Sequence, residues 1–377
     1  MLADDKRSGS IPVGALGIIA MESCKEIGGK IDDHISQGRA SFEDEIRDNL
    51  VFYGYKKDSY LMNAGCPRFG TGEAKGMINE SVRGKDIFIV VDVFNYGCKY
   101  KMYGQEVLMS PDDHYQDMKR IIGAIEGKAR RITVIMPMLY EGRQHRRIYR
   151  ESLDCASALQ EMVNIGVSNI ITFDAHDPRV HNAIPFGGFE NVMPTYQMIK
   201  ALVNKVPDVE FNTDKMMIIS PDEGGMGRSI YYSSVLGLNM GMYYKRRDYS
   251  TIINGRNPIV AHEFLGESVE GKDVVIVDDM IASGDSVMDI AKDLKARKAK
   301  RIFAMCTFGL FTNGLSIFDE AYEKGLITKI FTTNLNYRTE ELRAREWYAE
   351  VDMSKYIAYI IDTLNHDQSI SRLLDPA

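Results

Sequence analysis

The chain reads as an α/β protein of two domains with a related origin, and three observations carry that reading. Apolar strand-like runs alternate with helical patterns, which implies parallel sheets with helices packed on their faces. The pattern also occurs twice. Residues 84–94 read GKDIFIVVDVF and residues 271–281 read GKDVVIVDDMI. Downstream, ARRITVI (129–135) answers AKRIFAM (299–305), and GVSNIITFDAH (166–176) answers GLITKIFTTNL (325–335). Helical patterns over Tyr115–Glu126 and Val287–Ala296 lie between the first two members of each set. Finally, 377 residues are long for one domain and natural for two.

Composition narrows the class. Hydrophobic content of 45% and charged content of 26% are those of an ordinary globular protein. A net charge of −7 disfavours nucleic acid, because phosphate backbones need a basic field. Five scattered cysteines without a CxxC pair argue for a reducing cytoplasm, and against disulfides or a zinc site. Lys6-Arg7 before the apolar run Ile11–Met21 outlines a signal peptide. Pro12, Gly14 and Gly17 interrupt that run and no A-x-A site follows, so export is not expected. No segment is long enough to span a membrane, so no membrane partner is expected.

The chemistry is densest in VVIVDDMIASGDS (274–286). At the carboxyl end of a central parallel strand, side chains open into a ligand crevice. Asp278 and Asp279 there can accept hydrogen bonds from a vicinal diol. The loop Ala282, Ser283, Gly284, Asp285, Ser286 then enters a helix, whose amides favour a phosphate. Diol plus phosphate describes a ribose phosphate. The sister strand has Val91 opposite Asp278 and Asp92 opposite Asp279, so the acidic pair is read as functional rather than architectural. A strand-end acidic pair also occurs in phosphoacceptor domains and ATPases. The stretch Gly266–Asp273 fails as an ATPase phosphate loop, since it precedes a strand and lacks a Ser or Thr after its lysine.

The stretch resembles the ribose-phosphate loop of type I phosphoribosyltransferases and of ribose-phosphate pyrophosphokinases (PRPP synthetases). Other stretches separate the two. RFGTGEAKGMINESVRGKDIFIV (68–90) resembles the synthetase segment that contributes to the adenine site. RITVIMPMLYEGRQHRR (131–147) resembles its ATP segment, and ITFDAHD (171–177) the strand ending in a metal-binding histidine. SPDEGG (220–225) resembles its diphosphate-side loop, YKRRDYS (244–250) the start of its catalytic loop, and SISRLL (369–374) its C-terminal helix. The resemblance runs in order over roughly 62–375.

It implies two tandem type I phosphoribosyltransferase-like domains, each with a mainly parallel sheet flanked by helices. Residues 1–188, with an insertion near 41–60 and a C-terminal helix over 355–377, would form the first. Residues 189–354 would form the second and carry the ribose 5-phosphate loop. The implied reaction converts ATP and ribose 5-phosphate into PRPP and AMP, a kinase-type transferase step of nucleotide biosynthesis. Phe69 and Glu73 would meet adenine, although Phe69 without the resemblance reads as a core aromatic. Arg143 and Gln144 would contact ATP, while Arg146 and Arg147 read as surface charge. His176 and Asp222 would bind Mg²⁺, a hard ion suited to one histidine, one carboxylate and phosphate oxygens. Gly224 and Gly225 would let backbone approach the diphosphate. Lys245 and Arg247 would stabilise the transition state at the start of a lid over Asp248–Phe264, which contains Asn254-Gly255 and Pro258. In the family the adenine segment reaches a neighbouring subunit. That implies a homo-oligomer, dimer-based, with a hexamer as one form.

The chain departs from the family at several points. It has Ala282 in place of a third aspartate, Asp285-Ser286 in place of Gly-Thr, and Gly70-Thr71 in place of Ser-Asp. Its loop after Arg247 is also longer. Asp285 inside a phosphate loop should repel the 5-phosphate unless it points away. Two other readings therefore stand beside the enzyme: a non-catalytic regulatory subunit of synthetase-like sequence, and a phosphoribosyltransferase that consumes PRPP.

Overall fold

The computed structural model describes residues 10–40, 55–247 and 259–374. They fall into two compact units. The first comprises the chain up to Met193, Leu335–Tyr337 and the chain from Asp352 on. The second comprises Pro194–Asn334 and Arg338–Val351.

The first unit opens with β1 (Ala15–Ala20) and α1 (Lys25–Ala40). There follow the short pair β2 (Ala64–Gly65) and β3 (Met77–Ile78), then β4 (Lys85–Val90) and a hairpin of β5 (Lys99–Met102) and β6 (Gln105–Leu108). Next come α2 (Pro111–Ile125), β7 (Arg131–Ile135), α3 (Asp154–Asn164), β8 (Asn169–Phe173) and β9 (Gly188–Val192). Helix α2 starts four residues earlier than its apolar pattern, because Ser110 and Asp113 form a capping box and Pro111 takes the first turn. The sheet runs β1-β4-β7-β8-β9, all parallel. Residues 60–62 lie along the other side of β1: Ile18 N–H donates to Tyr60 O (2.9 Å) and Met62 N–H to Ile18 O (2.7 Å). Strand connections therefore leave β1 in both directions, and the switch point lies between β1 and β4.

The second unit contains α4 (Thr195–Lys205), β10 (Met216–Ser220), α5 (Met226–Leu236), β11 (Asn239–Arg247), β12 (Ile259–Leu265) and β13 (Asp273–Ile281). It continues with α6 (Asp285–Ala296), β14 (Arg301–Gly309), α7 (Ser316–Glu323), β15 (Lys329–Thr333), α8 (Glu340–Arg343) and β16 (Tyr348–Val351). The chain then returns to the first unit with α9 (Ser354–Asn365) and α10 (Ser371–Leu374). The sheet order is β12-β11-β10-β13-β14-β15-β16, parallel except for the β11–β12 pair. Its switch point lies between β10 and β13, matching β1 and β4.

The duplication extends to side chains. Asp86 on β4 takes two guanidinium bonds from Arg131 on β7 (2.8 and 2.7 Å). Asp273 on β13 takes two from Arg301 on β14 (3.0 and 2.7 Å). In each sheet the two residues are register partners. Each arginine also holds residues at or after the end of a helix. Arg131 donates to Leu364 O (2.6 Å) in α9, and Arg301 to Asp208 (2.9 Å) beyond α4. Helix α4 follows β9 in the chain yet packs on β15 and β16, and α9 follows β16 yet packs on α1. Each half thus passes its last helix to the other unit.

Two expectations need adjustment. The lid was expected to run as a loop over Asp248–Phe264, but Ile259–Leu265 pairs antiparallel with β11 as β12. Its β-branched and aromatic residues suit a strand. Residues 248–258 lie outside the described residues. The C-terminal stretch carries two helices rather than one, with Asp367 at φ 54° between them. Of the insertion near 41–60, residues 41–54 lie outside the description. Tyr55 and Tyr60 beyond them pack on the buried guanidinium of Arg39, at 4.4 and 4.9 Å from the ring centres. All five cysteines are free thiols. Among the described residues no helix is long and apolar enough to cross a membrane.

Candidate active site

The two switch points differ in the carboxylates they carry, and in the first a residue distant in the chain caps one of them. In the first unit the crevice between β1 and β4 is stoppered. Asp92 Oδ1 accepts from Phe94 N–H (2.9 Å), and Oδ2 from Tyr337 N–H (2.9 Å). Asp92 N–H donates to Ser23 Oγ (3.1 Å), and Asn95 Nδ2 to Ser23 O (2.9 Å). The Tyr337 ring lies edge-on to Tyr96 and so close to Gly97 that a Cβ there would collide. Asp92 is therefore a structural carboxylate, only 3% exposed.

In the second unit the matching positions carry two adjoining carboxylates near the carboxyl end of β13. Asp279 is buried and Asp278 half-buried, and Asp279 N–H donates to Asp278 Oδ1 (2.9 Å). Burial and the adjoining Asp279 carboxylate push the Asp278 acid well above the usual range. Arg228, on the first turn of α5, opposes that shift with its guanidinium 3.7 Å from Asp278 Oδ1. Asp222, just past β10, adds negative charge to the same group. Asp222, Arg228, Asp278 and Asp279 thus form one charged cluster at the carboxyl ends of β10 and β13. No sequence motif marks Arg228; its place one helical turn beyond Gly224-Gly225 is the signal that points to it.

The loop that follows is shaped by Gly284. Its φ of 94° is a left-handed conformation, and a Cβ would strike the Phe318 ring on α7. Asp285 begins α6 exposed, and its Oδ2 accepts from Ser283 Oγ (2.7 Å). A carboxylate is electrostatically favoured at a helix start. Asp285 thereby engages a hydroxyl of the loop expected to receive the 5-phosphate. Gly225 N–H donates to Asp222 Oδ1 (3.1 Å), which fixes the 222–225 turn.

The remaining candidates of the second unit lie on β11. Lys245 pairs in register with His262 and Arg246 with Ala261; the register then shifts so that Arg247 meets Ile259. Tyr243 on the same strand sends its hydroxyl to Asp293 of α6 (2.6 Å).

In the first unit His176 follows β8, exposed, beyond Asp174. Asp174 is buried at φ 42°, an uncommon conformation for a non-glycine residue and one that concentrates at functional sites. The 143–145 loop comes to this point: the His145 and His176 rings lie edge to face with centroids 5.5 Å apart. His145 Nε2 is 3.4 Å from Asp177 Oδ2. Hydrogen bonds from Arg179 hold Asp177 at about 2, so it is ionised at neutral pH. Arg143 is exposed, and Gln144 Nε2 donates to Ser152 O (2.9 Å), bracing the loop. Phe69 and Glu73 sit on a turn tied instead to α2, through Arg68 and Asp117 (2.7 Å), and to the β5–β6 hairpin. Phe69 is 55% exposed, which removes the core reading of that ring.

Residues 16–166 match the family model for the N-terminal domain of ribose phosphate pyrophosphokinase, and residues 253–375 match the phosphoribosyl synthetase-associated domain. The chain belongs to the ribose-phosphate pyrophosphokinase family. The enzyme of that name from Vibrio parahaemolyticus is 26% identical over 319 residues, 84% of this chain and 92% of its own. Another, from Ralstonia nicotianae, is 28% identical over 266 residues, 69% of this chain and 75% of its own. The crystal structure of phosphoribosylpyrophosphate synthetase from Mycobacterium smegmatis superposes with a TM-score of 0.73. It covers 93% of this chain and 99% of that one at 18% identity, and so shares the fold. As a divergent member, this pyrophosphokinase-family chain retains tandem α/β halves with an acidic pair in only the second switch point.

The Asp278 environment makes a prediction. Its carboxyl is raised in the folded state, so ionising it at neutral pH works against folding, and that penalty grows as pH rises through the folded value. Asp278→Asn removes the penalty. The variant should melt at a higher temperature at neutral pH, by about 2–4 °C for each kcal/mol recovered. A lower melting temperature at neutral pH would contradict this electrostatic account.

Proposed function

We propose that the protein is a ribose-phosphate diphosphokinase, which transfers the β,γ-diphosphoryl group of ATP to the 1-hydroxyl of ribose 5-phosphate, giving PRPP and AMP. The observation that carries this is the acidic pair at the second unit's switch point, which stands before a glycine-shaped loop at a helix start and of which the first unit keeps only Asp92. Asp278 and Asp279 hold the ribose diol, with Arg228 balancing their charge. The 282–286 loop receives the 5-phosphate, and Gly224-Gly225 line the diphosphate.

The 1-hydroxyl attacks the β-phosphorus as AMP leaves. Such transfer asks the protein for positioning and charge neutralisation more than covalent chemistry. Lys245 and Arg247 meet the charge on the moving diphosphoryl group, Arg143 and Gln144 contact ATP, and Phe69 and Glu73 meet adenine. His176, exposed beyond β8, and Asp222, just past β10, would each offer Mg²⁺ a ligand alongside phosphate oxygens of the nucleotide; among the described residues no group of three or more His, Cys, Asp or Glu side chains could hold an ion alone. The ion would neutralise phosphate charge. The working form is a cytoplasmic homo-oligomer.

The engagement of Ser283 by Asp285 favours a second reading, a regulatory subunit without turnover of its own. One assay separates the two. The purified chain is incubated with Mg²⁺, ATP and ribose 5-phosphate, and AMP and PRPP are measured. Stoichiometric AMP and PRPP, absent without ribose 5-phosphate and abolished by EDTA, are expected. AMP no higher than in an ATP-only control, at every inorganic phosphate concentration, would leave the regulatory reading.

A further inference from the structure

We propose that Tyr103, at the tip of the β5–β6 hairpin, is a further nucleobase contact, stacking on the purine of the nucleotide that Phe69 and Glu73 meet. This rests on the adenine-side reading of those two residues.

The hairpin turns in two residues, Tyr103 and Gly104, with φ of 50° and 79°. Such a turn needs positive φ at both positions and favours Asn, Asp or Gly at the first. A bulky side chain there is a conformational outlier. Packing does not offset the cost, because Tyr103 is 79% exposed. A strained, exposed aromatic where asparagine would serve the fold better points to a role outside stability.

The surroundings say which role. Tyr103 N–H donates to Gly70 O (2.8 Å), tethering the hairpin tip one residue from Phe69. The 69–73 turn is itself closed by Phe69 N–H to Glu73 O (2.7 Å) and Gly72 N–H to Phe69 O (2.9 Å). Thr71 Oγ1 donates to Glu73 Oε2 (3.0 Å), which orients that carboxylate. Below the tips, the Arg68 guanidinium lies 4.5 Å from the centre of the Tyr100 ring. Met102 Sδ fills the space a side chain at Gly72 would need. Two turns are thus locked together, each presenting an exposed aromatic ring, with an oriented carboxylate between them in sequence. Flat rings suit a flat ligand, and a base stacks on an aromatic side chain through its π-face. Glu73 can accept from an exocyclic amino group.

The test uses the full chain with two variants, Tyr103→Asn and Tyr103→Phe. Affinity for adenosine 5′-(β,γ-methylene)triphosphate with Mg²⁺ is measured by calorimetry, together with KM for ATP and for ribose 5-phosphate, melting temperature and oligomer mass. Tyr103→Asn should fold with an unchanged or higher melting temperature, yet weaken the analogue and raise the KM for ATP about tenfold. Its KM for ribose 5-phosphate and its kcat should not move, and Tyr103→Phe should behave as the parent. The inference is overturned if Tyr103→Asn binds the analogue as the parent does, if both substrates weaken together, or if the oligomer dissociates instead. It also fails if the parent does not bind the analogue at all. A parent that binds the analogue but makes no PRPP refutes the catalytic reading alone, and the affinity comparison still decides Tyr103.

Discussion

Lys245→Ala and Arg247→Ala should each lower turnover about 10²–10³-fold, whereas Arg246→Ala should stay near the parent. All three lie on β11, and the family resemblance gives a transition-state role to 245 and 247 but none to 246. Strand β11 runs parallel to β10. In the proposed reaction the two cations meet a diphosphoryl group leaving the nucleotide, where charge stabilisation exceeds that in water. Steady-state kinetics at saturating substrates, with melting curves as the folding control, test this. Equal losses at 245, 246 and 247 would mean that general positive charge acts here, not a directed pair.

The largest stability effect is expected at Asp86. Its side chain is fully buried, holds two guanidinium bonds from Arg131 and accepts from Asn365 Nδ2 (2.9 Å). Asn365 also accepts from Arg39 (2.7 Å), whose guanidinium meets Asp362 (2.8 Å). Removing one partner of a buried pair strands the other, so Asp86→Ala should destabilise by about 3–5 kcal/mol. Asp273→Ala removes the duplicate pair with Arg301 and should act in the same direction in the second unit. The exposed pair Lys298–Glu270 (2.8 Å) is the control, and its loss should cost about 0–1 kcal/mol. Urea denaturation followed by circular dichroism measures all three. An Asp86→Ala midpoint no lower than that of Glu270→Ala would refute the role given to this network in holding α9.

Much of the architecture was legible because it depends on short-range periodicity. The runs FIVV (88–91) and VVIV (274–277) are apolar on both faces, as strands covered on both sides must be, and both fall on interior parallel strands. Asp222, His176 and Asp278-Asp279 could be put near strand ends because each comes close after an apolar run; β10 ends at Ser220 and β8 at Phe173, while β13 runs on past the acidic pair to Ile281. Less legible were side chains whose partners are remote in the chain. His145 gained meaning only beside His176 and Asp177. Nothing local told that the β5–β6 hairpin docks on the 68–74 turn.

The sequence by itself determined that the chain is two related parallel-sheet halves and that only the second bears an acidic pair. Strand patterning and residue identity are local properties, and a repeat exposes them. The tertiary structure decided which half receives each terminal helix. An amphipathic helix declares that it has an apolar face, but not which sheet that face will cover, and α4 and α9 each cover the sheet or helix of the other half. It also decided the fate of Asp92, two residues beyond β4, which is capped by Tyr337, 245 positions away in the chain. A carboxylate's role follows from what satisfies it, and only folding brings that partner within hydrogen-bond distance.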